Sequence, residues 1–207
     1  MHQGNGSNQK GGLLMHQRLG LARGLIAFGL LLYGCASAPP AQVAAIADQS
    51  VIAERPEWRV GDRWLYRTAS GRTFAREVEG REGNLWVVRV GSARWSITDD
   101  LAVKTTAQND FEPAINYFDW PLRVKKSWTV DCLCKNTGAK VKGWPAVERY
   151  EAVTVPAGTF NAFKIHWTDG TNRRPQVYWY APAVKSFVRW EDHEAGTVSE
   201  LIEYRVK

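Results

Sequence analysis

The sequence lacks long hydrophobic runs after its first 35 residues, and it lacks the common catalytic motifs. Gly-x-Ser-x-Gly elbows, phosphate-binding loops, dinucleotide fingerprints and metalloprotease motifs are all absent, which removes the sequence support for those enzyme classes. The longest apolar run, from Leu25 to Tyr33, is about half the ~20 residues that a membrane-spanning helix needs. A permanent transmembrane helix is therefore not predicted.

Cysteine is also scarce, with three residues in 207. The run from Ser127 to Cys134 alternates, so Cys132 and Cys134 share one face of a predicted strand with Trp128 and Val130. Side chains two residues apart on a strand are separated by about 6.6 to 6.8 Å, whereas a disulfide needs β-carbons about 3.5 to 4.5 Å apart. We expect buried free thiols; a disulfide would need a bulge or bend, and a metal site would need more ligands.

The N-terminal segment has the layout of a secretory signal. Arg18 and Arg23, with no acidic residue, precede the apolar core, and a small residue and Cys35 follow it. The end of this segment, Leu32-Tyr33-Gly34-Cys35, resembles the lipobox of bacterial lipoproteins, in which the cysteine is acylated and begins the mature chain. The resemblance implies a lipid anchor at Cys35. In a Gram-negative host, Ala36, which is not aspartate, implies sorting to the outer membrane, facing the periplasm. The alternative is an ordinary secretory signal with a chance cysteine.

Three regions follow from these patterns. Residues 1–34 are predicted to be the signal peptide, with translation beginning at Met1 or at Met15, where Met-His-Gln recurs. Residues 35–57 are rich in alanine and proline and poor in large side chains, which predicts a flexible tether. Residues 58–207 are predicted to form a single domain, because the chain after the signal is long enough for one core and too short for two.

The basic charge is smaller than the whole sequence suggests. The chain has 27 Lys and Arg residues and 21 Asp and Glu residues, but Lys10, Arg18 and Arg23 lie in the signal, so the remainder carries a net charge of +3. A nucleic-acid partner is therefore not expected. All ten Trp residues follow Cys35, which indicates a core or cleft lined by large rings.

From Trp58 onward the apolar residues recur with a period of two, and chain breakers follow about every eight to twelve residues. Trp64 and Tyr66 fall on one face of one such run, and Trp86 and Val88 fall on one face of another. The pattern predicts an all-β fold. We expect an antiparallel meander of about eight to eleven strands that forms a curled half-barrel or a barrel.

The clearest predicted hairpin runs from Glu151 to Trp167, where Pro156 presets the first turn residue and Gly158 can adopt a left-handed conformation. The sequence Val153-Thr-Val-Pro-Ala-Gly-Thr-Phe-Asn-Ala-Phe-Lys-Ile165, followed by Val177-Tyr-Trp-Tyr-Ala-Pro-Ala-Val-Lys-Ser-Phe-Val-Arg-Trp190, resembles a group of uncharacterised β-rich domains of bacterial envelope and periplasmic proteins. The resemblance covers about the last third of the chain. It implies the fold and the compartment and provides no catalytic residue.

Aromatic residues provide the candidate binding site. Both faces of the run from Gln176 to Tyr180 carry apolar or aromatic side chains, as expected where one face meets the core and the other a cavity or a covering element. The predicted ligand cleft is formed by Tyr178, Trp179, Tyr180, Trp167 and Trp190. The alternative is that these rings fill a large β core.

No catalytic residue, metal site or cofactor is predicted. His166 falls on the polar face of its strand, and the run from Glu191 to Glu194 is typical of a solvated hairpin loop. The acidic pairs, Asp99 with Asp100 and Asp110 with Glu112, would suit a glycosidase only if two carboxylates stood about 5 to 10 Å apart across a cleft. We expect them to be turn residues.

The expected function is non-enzymatic. A membrane-anchored envelope lipoprotein with an aromatic concave face would bind or carry an apolar or amphiphilic envelope component such as a lipid. One alternative is a scaffold or assembly subunit that uses exposed aromatics to bind an envelope protein partner. A hydrolase acting on the cell wall is the remaining alternative.

Overall fold

The computed structural model describes residues 50–169 and 176–207. Residues 43–207 form one compact unit, and every element below belongs to it. The predicted signal, Cys35 and most of the predicted tether lie outside the described residues. Within the described residues, no helix is long and apolar enough to span a bilayer.

Fourteen strands and one 3-10 turn, Pro182–Val184, make up the regular structure of the described residues. The strands are β1 (Ile52–Ala53), β2 (Arg63–Thr68), β3 (Thr73–Glu82), β4 (Leu85–Val90), β5 (Ala93–Ile97), β6 (Val103–Thr105), β7 (Asp110–Ile115), β8 (Leu122–Arg123), β9 (Val130–Cys134), β10 (Ala139–Val155), β11 (Gly158–Thr168), β12 (Gln176–Ala181), β13 (Ser186–Asp192) and β14 (Thr197–Arg205).

Twelve strands form a closed antiparallel barrel. Strands β2 to β7 and β9 to β14 follow one another around the wall, and β14 pairs with β2 to close it. The predicted all-β antiparallel meander is confirmed, in its closed form. The barrel has twelve strands, where about eight to eleven were expected. One reason is that β7 contains Pro113, because proline within a short run obscures a strand pattern.

The folded part begins earlier than residue 58. Strand β1 pairs with β8 in a separate two-stranded sheet, with Ile52 opposite Arg123 and Ala53 opposite Leu122. The Ala53 side chain is 5% exposed. Residues 52 and 53, which the sequence analysis assigned to the tether, therefore belong to the folded unit. A small side chain carries little hydrophobic signal, so their packing could not be seen in the sequence.

The predicted hairpin is confirmed as the connection between β10 and β11. Val155 lies opposite Gly158, leaving Pro156 and Ala157 as the two-residue turn. Gly158 has φ of +135°, a conformation that L side chains rarely adopt. The preceding strand, β10, has 17 residues and pairs first with β9 and then with β11.

Residues 116–121, which we call the plug segment, connect β7 to β8 and pack against inward-facing rings of the barrel. The Phe118 ring lies 5.0 Å from Tyr180 and 5.0 Å from Phe187 between centroids. The indole N–H of Trp120 donates to the backbone oxygen of Asp100 at 2.9 Å. Pro121 precedes the two-residue β8 and lies outside the barrel strands, as expected for a residue that cannot donate to a ladder.

Candidate ligand-binding cavity

A cavity lies between the inward faces of β2 to β6, β12 to β14 and the plug segment. The free space within it, counted together with the part open to solvent, is about 770 Å³. Nine of its lining residues are aromatic, three are aliphatic and four are polar or basic: Trp58, Tyr66, Phe74, Trp95, Tyr117, Phe118, Tyr178, Phe187 and Trp190; Val90, Leu101 and Val103; Arg76, Lys185, Ser186 and Ser199. Apolar walls with a few placed polar groups are typical of small-molecule sites.

Two residues of the predicted cleft line this cavity. Tyr178 on β12 and Trp190 on β13 lie opposite each other in the strand register, and their rings stack with centroids 5.9 Å apart. Tyr178 also meets Tyr117 of the plug segment edge-on at 5.6 Å. The β12–β13 pair therefore supplies part of the cavity wall.

Two other predicted cleft residues lie in the core instead. Tyr180 is 1% exposed and packs against the plug segment, with Trp120 at 5.2 Å. Trp167 is packed over Gly143 of the neighbouring strand, so closely that a β-carbon on Gly143 would overlap the indole. For these two rings, the alternative of a large aromatic core describes the structure better than a cleft.

Trp179 lies on the outer face of the wall, because alternation along β12 turns it away from Tyr178 and Tyr180. Charged side chains cover it there: Arg189 lies 5.3 Å and Lys164 lies 5.7 Å from the ring centroid. Its indole N–H donates to Glu151 at 2.8 Å. The second aromatic face of β12 therefore meets a covering layer of charged side chains, and Trp179 does not line the cavity.

Fourteen of the sixteen lining residues were not among the predicted cleft residues, and Arg76 is one of them. It lies on β3 between Phe74 and Val78, and all three occupy alternate positions on the inward face. A signal was present, because period two places a cation between two inward apolar residues. The signal is weak, because Arg76 is one of 27 Lys and Arg residues in the chain.

The tyrosines of the cavity wall are neutral hydrogen-bonding groups. Burial, reinforced by the nearby Cys132 and opposed by Arg76, raises the pKa of Tyr117 to about 12. Burial also raises the pKa of Tyr66, against the opposing effect of Arg76. The Tyr66 hydroxyl donates to the backbone oxygen of Phe187 at 2.9 Å and lies 3.0 Å from Ser186 Oγ. At neutral pH these hydroxyls carry no charge, and the lining contains no acidic residue.

Cys132 and Cys134 are free thiols, and both are buried. They lie two residues apart on the inward face of β9, the arrangement that separates side chains too widely for an undistorted disulfide. The Sγ atom of Cys134 lies 3.2 Å from Asn109 Oδ1. Burial raises the pKa of Cys132, and the neighbouring Asp131 raises it further. A raised pKa opposes thiolate formation and hence reactivity.

The candidate acids for hydrolysis are held in surface ion pairs. Lys104 Nζ lies 2.7 Å from Asp110 and 2.9 Å from Glu112. Its hydrogen bonds lower the pKa of both carboxyl groups, whereas a general acid needs a raised value. Asp99 forms an ion pair with Arg81, and Asp100 lies 3.2 Å from Arg55.

The remaining candidates do not form a catalytic or metal site in the described part of the chain. His166 alternates with the inward Ile165 and Trp167 on β11, as predicted, and burial lowers its pKa. His193 lies 3.1 Å from Glu191 beside the turn between β13 and β14. No group of three or more His, Cys, Asp or Glu residues is placed to hold a metal ion between residues 50 and 169 or between 176 and 207.

No protein family and no curated protein matches the chain. Among solved structures, it is similar to an inferred lipoprotein from Parabacteroides distasonis, with 14% identity, 74% of this chain and 99% of that chain covered, and a TM-score of 0.39. It is also similar to the hypothetical lipoprotein YmcC from Escherichia coli, with 9% identity and a TM-score of 0.41; the match covers 69% of this chain and 83% of that chain. A third similar structure is an inferred exported protein with a YmcC-like fold from Bacteroides fragilis, with 13% identity and a TM-score of 0.38. The match covers 74% of this chain and 99% of that chain.

Proposed function

We propose that this chain is a lipid-anchored protein of the bacterial envelope that binds or carries an apolar or amphiphilic molecule and catalyses no reaction. The observation that carries the proposal is the cavity, whose lining has nine aromatic and three aliphatic residues and only four polar or basic ones. Transfer of an apolar molecule from water into such a lining is favourable, by about 25 cal/mol for each Å² of apolar surface removed from water.

The anchor and the compartment are proposed on the sequence. The resemblance of Leu32-Tyr33-Gly34-Cys35 to a lipobox supports a lipid on Cys35, and in a Gram-negative host Ala36 supports sorting to the outer membrane with the barrel in the periplasm. A diacylated cysteine holds a protein on a membrane stably, whereas one acyl chain does so only marginally. The barrel would then meet envelope lipids at close range.

Native mass spectrometry tests the binding function directly. Residues 43–207 contain all the described strands and form one compact unit, so they can be exported to the periplasm of a bacterium and purified without detergent. We expect an excess mass that gentle ionisation retains and denaturation releases. Only the mass of the bare chain, in repeated gentle preparations, would overturn the binding proposal.

Two variants make the test specific to the cavity. Ser199→Phe adds a ring to a residue that lines the cavity and is 7% exposed, and it should abolish the excess mass. Val198→Phe places a ring one position earlier on β14, on the outward face, and should leave the excess mass unchanged. If the bare chain is seen throughout, the scaffold alternative becomes the next hypothesis, and cross-linking to an envelope protein partner tests it.

A further inference from the structure

Arg76 differs from the other charged residues of its strand. The remaining four charged residues of β3 all form ion pairs with side chains outside the cavity: Glu77 with Arg63 and Arg89, Glu79 with Arg89 and Arg94, Arg81 with Asp99, and Glu82 with Arg94. Arg76 forms no ion pair with any residue of the described ranges, 50–169 and 176–207. Its charge faces the cavity without a carboxylate partner.

Two nitrogen atoms of the cavity lining also lack hydrogen-bond partners among the described residues. They are Nε of Arg76 and Nε1 of Trp190, and both are buried. A buried donor without an acceptor costs about 1–3 kcal/mol, more when the group is charged, so such donors are rare in folded proteins. Orphaned donors on two walls of one cavity are expected where a ligand supplies the missing acceptors.

The other cation of the lining is already matched. Lys185 Nζ donates to the backbone oxygens of Glu57 and Lys207, each at 2.7 Å, and lies 3.9 Å from the carboxylate of Asp62. Arg76 therefore provides the uncompensated positive charge of a cavity whose lining contains no acidic residue. A neutral ligand would leave that charge unpaired.

From this charge imbalance we propose that the cavity ligand is an anionic amphiphile, with a carboxylate or phosphate head bound by the Arg76 guanidinium and an apolar tail against the aromatic wall. The inference rests on the proposed function and names the class of molecule that the cavity takes. A guanidinium presents a planar fork of donors that matches carboxylate and phosphate oxygens in pairs. Such charge-assisted hydrogen bonds are stronger in a cavity shielded from water.

Calorimetric titration of residues 43–207 with three probes of equal chain length tests the proposal. The probes are laurate, dodecyl phosphate and dodecanol, each below its aggregation concentration. We expect the anions to bind about 10- to 100-fold more tightly than the alcohol, the range that hydrogen bonds to a charged group provide. The laurate and phosphate arms then distinguish fatty-acid heads from phospholipid-type heads.

Variants of Arg76 test whether its guanidinium is responsible for the tighter binding of the anionic probes. Arg76→Met should reduce the affinity for laurate to that for dodecanol and leave dodecanol binding unchanged, which also reports that the cavity is intact. The matched control is Arg67→Met, which removes the same charge from an exposed position on β2 and should change neither affinity. If Arg76→Met does not bind dodecanol, Arg76→Gln provides the same comparison with a polar side chain.

The possible failures are distinguishable. Equal affinities for laurate and dodecanol in the unmodified protein, or unchanged laurate binding by both Arg76 variants, overturn the anionic-ligand proposal and leave the binding function standing. If none of the three probes binds and native mass spectrometry shows only the bare chain, both proposals fail.

Discussion

Gly143 and Trp167 show how tightly single residues are fitted in this barrel. A β-carbon on Gly143 would overlap Nε1 and Cε2 of Trp167 and lie 2.6 Å from its Cζ2 atom. We therefore expect Gly143→Ala to lower the free energy of unfolding by about 1–3 kcal/mol, the usual cost of overpacking. Urea denaturation followed by tryptophan fluorescence measures the change.

Gly80 provides the control for that substitution. It also lies within a strand, and a β-carbon there would have no neighbouring heavy atom within 4 Å. Gly80→Ala should therefore change the free energy of unfolding by no more than about 0.5 kcal/mol. Equal effects of the two substitutions would contradict the close fit of Trp167.

The cysteine pair allows a test of chemical state. Because Cys132 and Cys134 are buried free thiols, a thiol reagent should react slowly with native residues 43–207 and label two thiols once the protein is denatured. The count should be the same with and without reductant. A lower count in the absence of reductant would show that the pair is oxidised, against the structure.

The alternation of apolar and polar residues along the sequence was enough to predict which side chains of the barrel strands point inward. Period two placed Trp64 and Tyr66 inward, where they are 0% and 4% exposed, and it placed His166 outward. It could not separate a cavity wall from a filled core, because Tyr178 and Tyr180 point the same way and differ in the plug-segment rings that pack on them: Tyr117 on Tyr178, and Phe118 and Trp120 on Tyr180. That distinction depends on contacts between residues more than 50 positions apart, which no local pattern encodes.

The plug segment is the element that decides how much of the barrel interior stays open. Phe118 is 4% exposed and packs at 5.0 Å against rings of both neighbouring barrel strands. Asn116 holds the start of the segment, accepting from the Trp128 indole N–H through its backbone oxygen at 3.0 Å. The insertion of these aromatic side chains into the barrel is a tertiary contact that no local sequence pattern encodes.

We expect Phe118→Ala to lower the free energy of unfolding by about 3–5 kcal/mol, the usual cost of removing a buried ring. The residual space should join the cavity and accept a longer probe, so a tetradecyl chain should gain affinity relative to a dodecyl chain. Leu133→Ala, on a β9 residue that is 39% exposed, should cost less than about 1 kcal/mol. Denaturation and probe titration of the two variants provide the comparison.

At the level of the whole molecule, the pairing of β14 with β2 closes the barrel, and Asp62 secures it. This carboxylate is 0% exposed and accepts from the backbone N–H groups of Arg59 at 2.9 Å and Lys207 at 2.8 Å. It thereby ties the start of the first barrel strand to the residues after the last. The bond joins positions 145 residues apart in the sequence.

Asp62→Ala should lower the free energy of unfolding by about 1–3 kcal/mol, because two partly buried backbone N–H groups lose their acceptor. Hydrogen exchange should rise first in β14 and β2, the strands at the closure. Asp131→Ala is the control, since Asp131 forms a surface ion pair with Lys142 and such pairs contribute about 0–1 kcal/mol. Uniform exchange throughout the barrel would contradict a special role of the closure.

The barrel should also be sensitive to alkali. Burial raises the pKa of Tyr66, Tyr117, Tyr178 and Tyr180 above the ordinary 10.0, and that of Tyr117 reaches about 12. Above pH 10 these tyrosines ionise in the unfolded chain but stay neutral in the folded chain. Their contribution to the free energy of unfolding is therefore complete below pH 10 and falls as the pH rises toward about 12. The melting temperature should drop over that interval; a constant value would contradict the burial of these hydroxyls.

The order of the meander sets the order in which the barrel can be completed. Neighbouring strands are joined by short connections almost everywhere, but β2 must wait for β14, which begins at Thr197. Until β14 is in place, an open strand edge and the aromatic rings around Arg76 face the solvent. The incomplete barrel therefore needs protection from other unfolded chains, and a chaperone that holds unpaired β-strands suits that interval.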